Sequence, residues 1–304
     1  MTGREVFLTI DAGGTFIKSA VLSTDGVVLD GSAVSSKAFS DGTKEEILKS
    51  FQKTILQSLK FSGIPGVNLG GIGVAFPGPF DYQQGIPLMG HKFSNIYGVD
   101  MRMFFGEISG ISPDIPIRFI HDAQAVLLGE LWKGNAQGFP DAAAITLGTG
   151  LGFAFSKNGI VQSTPTGGPL VSIFKLPYKD GILEDYVARR GLLKIYSEIC
   201  NDSVEGIDVS DLGKWANDGE ENSINTFHEV GRILAESLHN ILLERGIQCL
   251  LLGGQISRSF DHLEETLKQG LEGVKSLRKI SVVSSIDNAS LLGALRAVQN
   301  SNFK

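Results

Sequence analysis

An apolar strand that breaks into glycines and then resumes occurs twice in this chain, and that duplication constrains the fold more than any other feature. In the first copy Val6–Ile10 reads as a buried strand, Gly13 and Gly14 as a turn, and Phe16–Leu22 and Val27–Val34 as returning strands. In the second, Ala142–Thr146 and Gly152–Phe155 flank another glycine turn. Alternation with helices makes both halves α/β. Lys44–Leu59 places Ile47, Leu48, Phe51, Ile55 and Leu59 at helical spacing, Gly71–Phe76 is a further strand, and Ile117–Ile120 runs into a helix over Ala125–Trp132. Helices follow over Leu183–Cys200, Ser210–Asn217 and Ser223–Glu244; then come strand Ile247–Leu252, helix His262–Leu271, strand Ile280–Val283 and helix Ser290–Val298.

A chain of 304 residues exceeds one ordinary hydrophobic core. The break at Ser112-Pro113-Asp114-Ile115-Pro116 sets the expected domains at 1–116 and 117–289. Thirty-eight glycines are well above the average share and suit turns that approach phosphate closely. A formal net charge of −6 argues against nucleic-acid and anionic-membrane partners, which need clustered Lys and Arg. The two cysteines, Cys200 and Cys249, lie in apolar segments and read as small buried hydrophobes of a reducing compartment. The N-terminus has no secretory pattern and no apolar run reaches membrane-spanning length, so a cytoplasmic location is expected.

Four segments carry chemistry. Asp11-Ala12-Gly13-Gly14-Thr15-Phe16-Ile17-Lys18 follows a strand: its glycines admit phosphate oxygens, Thr15 offers a hydroxyl, Lys18 a charge, and Asp11 a carboxylate for Mg²⁺ through water. Taken alone, it is equally a hairpin turn. Thr146-Leu147-Gly148-Thr149-Gly150-Leu151-Gly152 repeats the arrangement, and two such loops in successive halves fit a clamped polyphosphate better than chance turns. In Ile120-His121-Asp122-Ala123-Gln124 a carboxylate stands where strand meets helix, able to take the proton of an attacking hydroxyl, although Asp is also an ordinary helix cap. Leu252-Gly253-Gly254-Gln255 ends a strand with a backbone open to a flat adenosine, or simply turns the chain.

In this order and spacing the four segments, with Gly73-Val74-Ala75-Phe76-Pro77-Gly78-Pro79-Phe80-Asp81, resemble the ROK family of sugar kinases in the actin-like, hexokinase-like ATPase superfamily. The resemblance implies two ribonuclease-H-like domains flanking a nucleotide and sugar cleft. It implies ATP and Mg²⁺ as cofactors, a small-molecule sugar as partner, a homodimer, and the final helix, within 290–304, returning to the first domain. Asp122 would be the general base. Asp11, Gly13, Gly14, Thr15, Lys18, Gly148, Thr149 and Gly150 would handle phosphates, with Asp11 holding Mg²⁺ through water. Gly253 and Gly254 would lie near adenosine, and Gly78, His121 and Glu184 would border the sugar with Asp122.

The departures fall on the sugar side. His121 stands where the family has Asn. Residues 164–181, where the family's Glu-x-Gly-His motif and Cys-rich zinc loop belong, contain no Cys, His or Glu, so no structural zinc is expected there. Ile182-Leu183-Glu184 matches the Cys-Leu-Glu segment that follows, although a Glu in a first helical turn is commonplace. Family repressors place a winged helix ahead of the Asp-Gly-Gly-Thr strand; the ten residues before Asp11 lead to the expectation of no such domain.

Competing readings are a noncatalytic sugar or nucleotide sensor on the same fold, motivated by the altered loop, and a kinase with a changed acceptor such as an amino sugar or glycoside. Retention of Asp122 beside both glycine loops favours the enzyme, because a binding module has no need of a base. A metal phosphohydrolase built on His121-Asp122 lacks partners among the five histidines, of which His228, His239 and His262 read as helix-surface or packing residues.

Overall fold

The structure, a computed structural model, describes residues 5–61, 68–112 and 114–300. Two compact units emerge, the first from residues 1–132, 163–170 and 288–304 and the second from 133–162 and 171–287. In the first, β1 (Glu5–Ala12), β2 (Phe16–Ser23) and β3 (Val34–Lys37) form a meander, followed by α1 (Lys44–Phe61) and β4 (Asn68–Phe76). The short hairpin β5 (Phe80–Asp81) and β6 (Ile86–Pro87), helix α2 (Met101–Gly106), β7 (Ile117–His121) and α3 (Asp122–Lys133) complete this stretch. The sheet order is β3-β2-β1-β4-β7, antiparallel across the meander and parallel from β1 through β4 to β7.

The second unit repeats that plan. β8 (Ala142–Leu147), β9 (Leu151–Lys157) and β10 (Ile160–Val161) form its meander. Hairpin β11 (Pro177–Tyr178) and β12 (Gly181–Ile182) leads to helices α4 (Glu184–Val187), α5 (Arg189–Cys200), α6 (Val209–Asn217) and α7 (Glu221–Arg245). β13 (Cys249–Gly253), α8 (Phe260–Leu271) and β14 (Lys279–Val282) close it, in sheet order β10-β9-β8-β13-β14. Its pairings, antiparallel across the meander and parallel from β8 through β13 to β14, match those of the first sheet.

Burial of β1 on both faces explains its apolar run, interrupted only at Thr9, whose hydroxyl donates to the Ala20 carbonyl at 3.2 Å. Val6, Leu8 and Ile10 join Ile47, Phe51 and Ile55 of α1, whereas Phe7 meets Leu291 and Leu295 of the last helix, α9 (Ala289–Gln299). α9 returns to this unit at very close range: a Cβ on Gly293 would stand 1.7 Å from the Ala125 carbonyl oxygen of α3. Only glycine fits there.

Several expectations change. The division falls after Trp132 instead of 116, because β7 is hydrogen-bonded to β4 and carries α3 with it; Pro113 of the expected junction and residues 301–304 of the expected terminal segment lie outside the described residues. The third strand begins at Val34, Val28 making only an isolated bridge to Leu22. The helix expected over Leu183–Cys200 is two, broken at Ala188, whose backbone is extended. Cys249 is buried and Cys200 only half-buried.

Candidate active site

Asp122 opens α3 directly after β7, so its carboxylate sits at the positive end of a helix. The Ala123 amide donates to Asp122 Oδ1 at 2.6 Å and lies 3.2 Å from His121 Nδ1. His121 Nδ1 is itself 3.0 Å from the same Oδ1. The amide and the imidazole thus converge on one oxygen of the carboxylate. Burial alone pushes the Asp122 carboxyl up, but the charge and hydrogen bond of His121, the Ala123 amide and the charge of Lys92 outweigh it and hold the group below its ordinary value. Asp122 is thereby kept ionised, while 36% of its side chain stays open to a reacting group.

Asp11, at the end of β1, behaves oppositely. Burial pushes its carboxyl up and the charge of Asp122 adds to this, against the lowering influence of a 2.7 Å hydrogen bond from the Ser290 hydroxyl and of Lys18. A half-buried carboxylate beside a second carboxylate, with its ionised form disfavoured, is what a hydrated divalent cation relieves. After Asp11, Gly13 and Gly14 turn the chain, Thr15 is exposed, and the Thr15 carbonyl anchors the turn by accepting from Ala38 at 2.9 Å.

Gly78 adjoins this group: a Cβ there would stand 3.3 Å from the Tyr82 hydroxyl and 3.5 Å from His121 Cδ2. Tyr82 packs edge-on against His121 at 6.0 Å and donates to the Phe76 carbonyl at 3.1 Å. Burial and the Asp122 charge push its phenol well above the ordinary range. The turn at Thr164–Gly168, in the stretch where a Glu and a His were looked for, closes on the same tyrosine, the Tyr82 amide donating to the Thr166 carbonyl at 3.0 Å. Tyr82 and Lys92 carried no motif and were missed; nothing local marks them, because both reach the site through tertiary packing.

In the second unit the loop at Gly148–Gly150 is stapled from two sides. The Arg189 amide donates to the Gly148 carbonyl at 2.9 Å, and Glu184 Oε2 accepts from the Leu151 amide at 2.8 Å. Glu184 is thus bound to the glycine loop itself. Thr149 is exposed at its tip. Gly254 has φ 83°, and a Cβ on it would stand 2.2 Å from the Leu147 carbonyl oxygen, so Gly253 and Gly254 turn hard against the base of this loop.

The segment before α4 is tied by aromatic and ionic contacts. Tyr178 and Tyr186 meet edge-on at 5.0 Å, Lys179 lies 5.6 Å and 5.5 Å from their rings, and Tyr186 donates to Asp180. Tyr178 also donates to Glu236 at 3.2 Å, beside Arg232, which bonds both Glu229 and Glu236. His262 packs on Phe227 and bonds Asn217, and His239 bonds the Gly270 carbonyl.

Two meander-and-crossover sheets with glycine turns at their strand ends define a two-domain actin-like ATPase fold. Within it the chain belongs to the ROK family, whose sequence pattern matches residues 7–169 and 177–301. The N-acetyl-D-glucosamine kinase of Haemophilus influenzae is 24% identical over 287 residues, covering 88% of this chain and 89% of the relative. The glucokinase of Thermotoga maritima is 23% identical over 315 residues, covering 95% and 96%. A ROK family glucokinase from Streptomyces griseus, solved with glucose and AMPPNP, has a TM-score of 0.82 at 19% identity, with 97% of this chain and 99% of that one covered. Among the described residues no helix is long and apolar enough to cross a membrane.

Proposed function

We propose that this protein is an ATP-dependent sugar kinase whose general base is Asp122. One observation carries the reading: an ionised, partly open carboxylate at a helix N-terminus, held by His121 and the Ala123 amide, in electrostatic contact with a second carboxylate at the end of the Asp11–Thr15 turn. Kinase names among the family relatives support it, and so does the glucose and AMPPNP complex of the Streptomyces griseus relative.

In the proposed reaction a sugar hydroxyl gives its proton to Asp122 as its oxygen forms a bond to the γ-phosphorus. The bond from that phosphorus to the bridging oxygen breaks, and its electron pair leaves with ADP. Gly13, Gly14 and Thr15 in the first unit, and Gly148, Thr149 and Gly150 in the second, each offer amides or hydroxyls to phosphate oxygens. Lys18 adds charge, and Gly253 and Gly254 border the adenosine. Asp11 is the residue that would hold Mg²⁺ through water, where the cation would supply neutralisation of phosphate charge. Gly78 and His121 line the acceptor side. Glu184, with one oxygen engaged by Leu151, shapes the phosphate loop.

Coupled ADP release with MgATP, measured across hexoses, N-acetylhexosamines and β-glucosides, tests the reading. At least one acceptor should support turnover, and Asp122→Asn should lower kcat by about 10²–10⁴-fold. Binding of ATP and sugar with no acceptor-dependent turnover would sink the kinase and leave a sensor.

A further inference from the structure

Lys92 belongs to no motif, yet its side chain lies across the Asp11–Thr15 turn. A Cβ on Gly14 would stand 2.9 Å from Lys92 Cδ, 3.2 Å from Cε and 3.5 Å from Nζ, so the aliphatic stem runs over Gly14 and delivers the ammonium beside it. The same ammonium acts electrostatically on Asp122. It is half-buried and forms no ion pair or hydrogen bond among the described residues. A half-buried cation with no anionic partner at bonding distance is placed to receive an arriving anion.

The backbone holds it there. Phe93, fully buried among Phe51 and Phe76, has φ 58°, a conformation rarely adopted by a bulky residue, and its amide donates to the Ser40 carbonyl at 2.7 Å. That anchor sends the preceding side chain toward Gly14 instead of into solvent.

We propose that Lys92 is a catalytic residue that binds the phosphoryl group in flight. The proposal rests on the kinase reading. Gly14 borders the γ-phosphate and Asp122 the attacking hydroxyl in that reading, and Lys92 is the cation related to both. As the acceptor oxygen bonds to phosphorus and the bridging oxygen leaves with ADP, charge spreads over the three equatorial oxygens, and Lys92 stabilises it. A fixed cation placed for the transition state lowers the barrier more than it tightens either substrate.

The test is steady-state kinetics of the whole protein with MgATP and whichever acceptor of the sugar panel it turns over. Lys92→Met should lower kcat by about 10²–10³-fold, with KM for the acceptor within about threefold of wild type, a difference of roughly 0.7 kcal/mol. Lys92→Arg should restore part of the rate. Lys92→Cys treated with bromoethylamine, which rebuilds an ammonium at nearly the same reach, should recover most of it. Thermal melting of each variant guards against misfolding. A Lys92→Met protein with kcat within threefold of wild type overturns the assignment, as does one that loses acceptor KM and keeps kcat. A wild-type protein inert with every acceptor overturns the kinase reading first, and this one with it.

Discussion

Asp11 and Asp122 respond in opposite directions to similar surroundings, and the difference lies in their partners. Both are raised by burial, but Asp122 gains His121, an amide and Lys92, whereas Asp11 gains a hydroxyl, Lys18 and the repulsion of Asp122. The charged and titratable groups that face Asp122 are therefore His121, Lys92, Asp11 and Tyr82. Because its folded pKa is depressed, the stabilisation it contributes is complete above the unfolded value and is lost only as pH falls through the lowered one. The acid limb of kcat/KM due to this group should lie below 3.8, its ordinary value. In His121→Asn, which removes the imidazole that lowers the Asp122 carboxyl, that limb should move upward in a pH–rate profile; an unmoved limb would mean that His121 does not tune the base. Glu184 makes a separate case. Glu184→Ala leaves the Leu151 amide without its acceptor, a loss of about 1–3 kcal/mol, and should raise KM for ATP more than KM for the sugar. The reverse order would restore Glu184 as a sugar ligand. The placement of Asp11 near a strand end and of Asp122 and Glu184 at helix starts was legible in the sequence from the strand and helix patterns. Glu184's bond to Leu151, 33 residues away, was not, since no local pattern encodes it.

At the scale of elements, the β11–β12 hairpin and α4 show how a loop without metal ligands is kept in place. Tyr178 and Tyr186 meet edge-on with the Lys179 ammonium over both rings, and Arg232 and Glu236 fasten Tyr178 to α7. Tyr178→Ala removes one half of the aromatic pair and its hydrogen bond. It should lower stability by about 1–3 kcal/mol, read as a shift in the urea midpoint. Treating the wild type with a zinc chelator should leave that midpoint where it was. A variant as stable as wild type would show that the cluster is incidental. The sequence revealed which ligands the segment lacks; the substitute stayed hidden because it combines a hairpin with a helix more than fifty residues downstream, |i−j| being 58 for the Tyr178–Glu236 bond. The helix break at Ala188 was hidden for a similar reason, since the apolar periodicity of Leu183–Cys200 continues across it.

For the whole molecule, the duplicated hairpins were legible from strand periodicity and glycine position, and both sheets follow the same order. The domain division was not legible, because it depends on pairings between distant segments: β7 with β4, and α9 with β1. A first unit assembled from three stretches of chain cannot be complete until the last is made. The face of β1 that carries Phe7 is covered by Leu291 and Leu295 of α9, and Asp11 receives a side-chain hydrogen bond from Ser290 on the same helix. Leu295→Ala should therefore cost about 2–5 kcal/mol. A chain ending at residue 287 should lose cooperative melting of the first unit while the second, whose stretches all precede that point, keeps a transition of its own. Calorimetry of the truncated and full chains separates these outcomes, and hydrogen exchange assigns the surviving transition. If the truncated chain keeps protected amides in β1 and β4, the first sheet closes without α9, and the dependence of the Asp11 turn on the last helix is wrong. Loss of protection throughout the first unit, including β1, β2, β4 and β7 on the face that α9 covers, is the expected result.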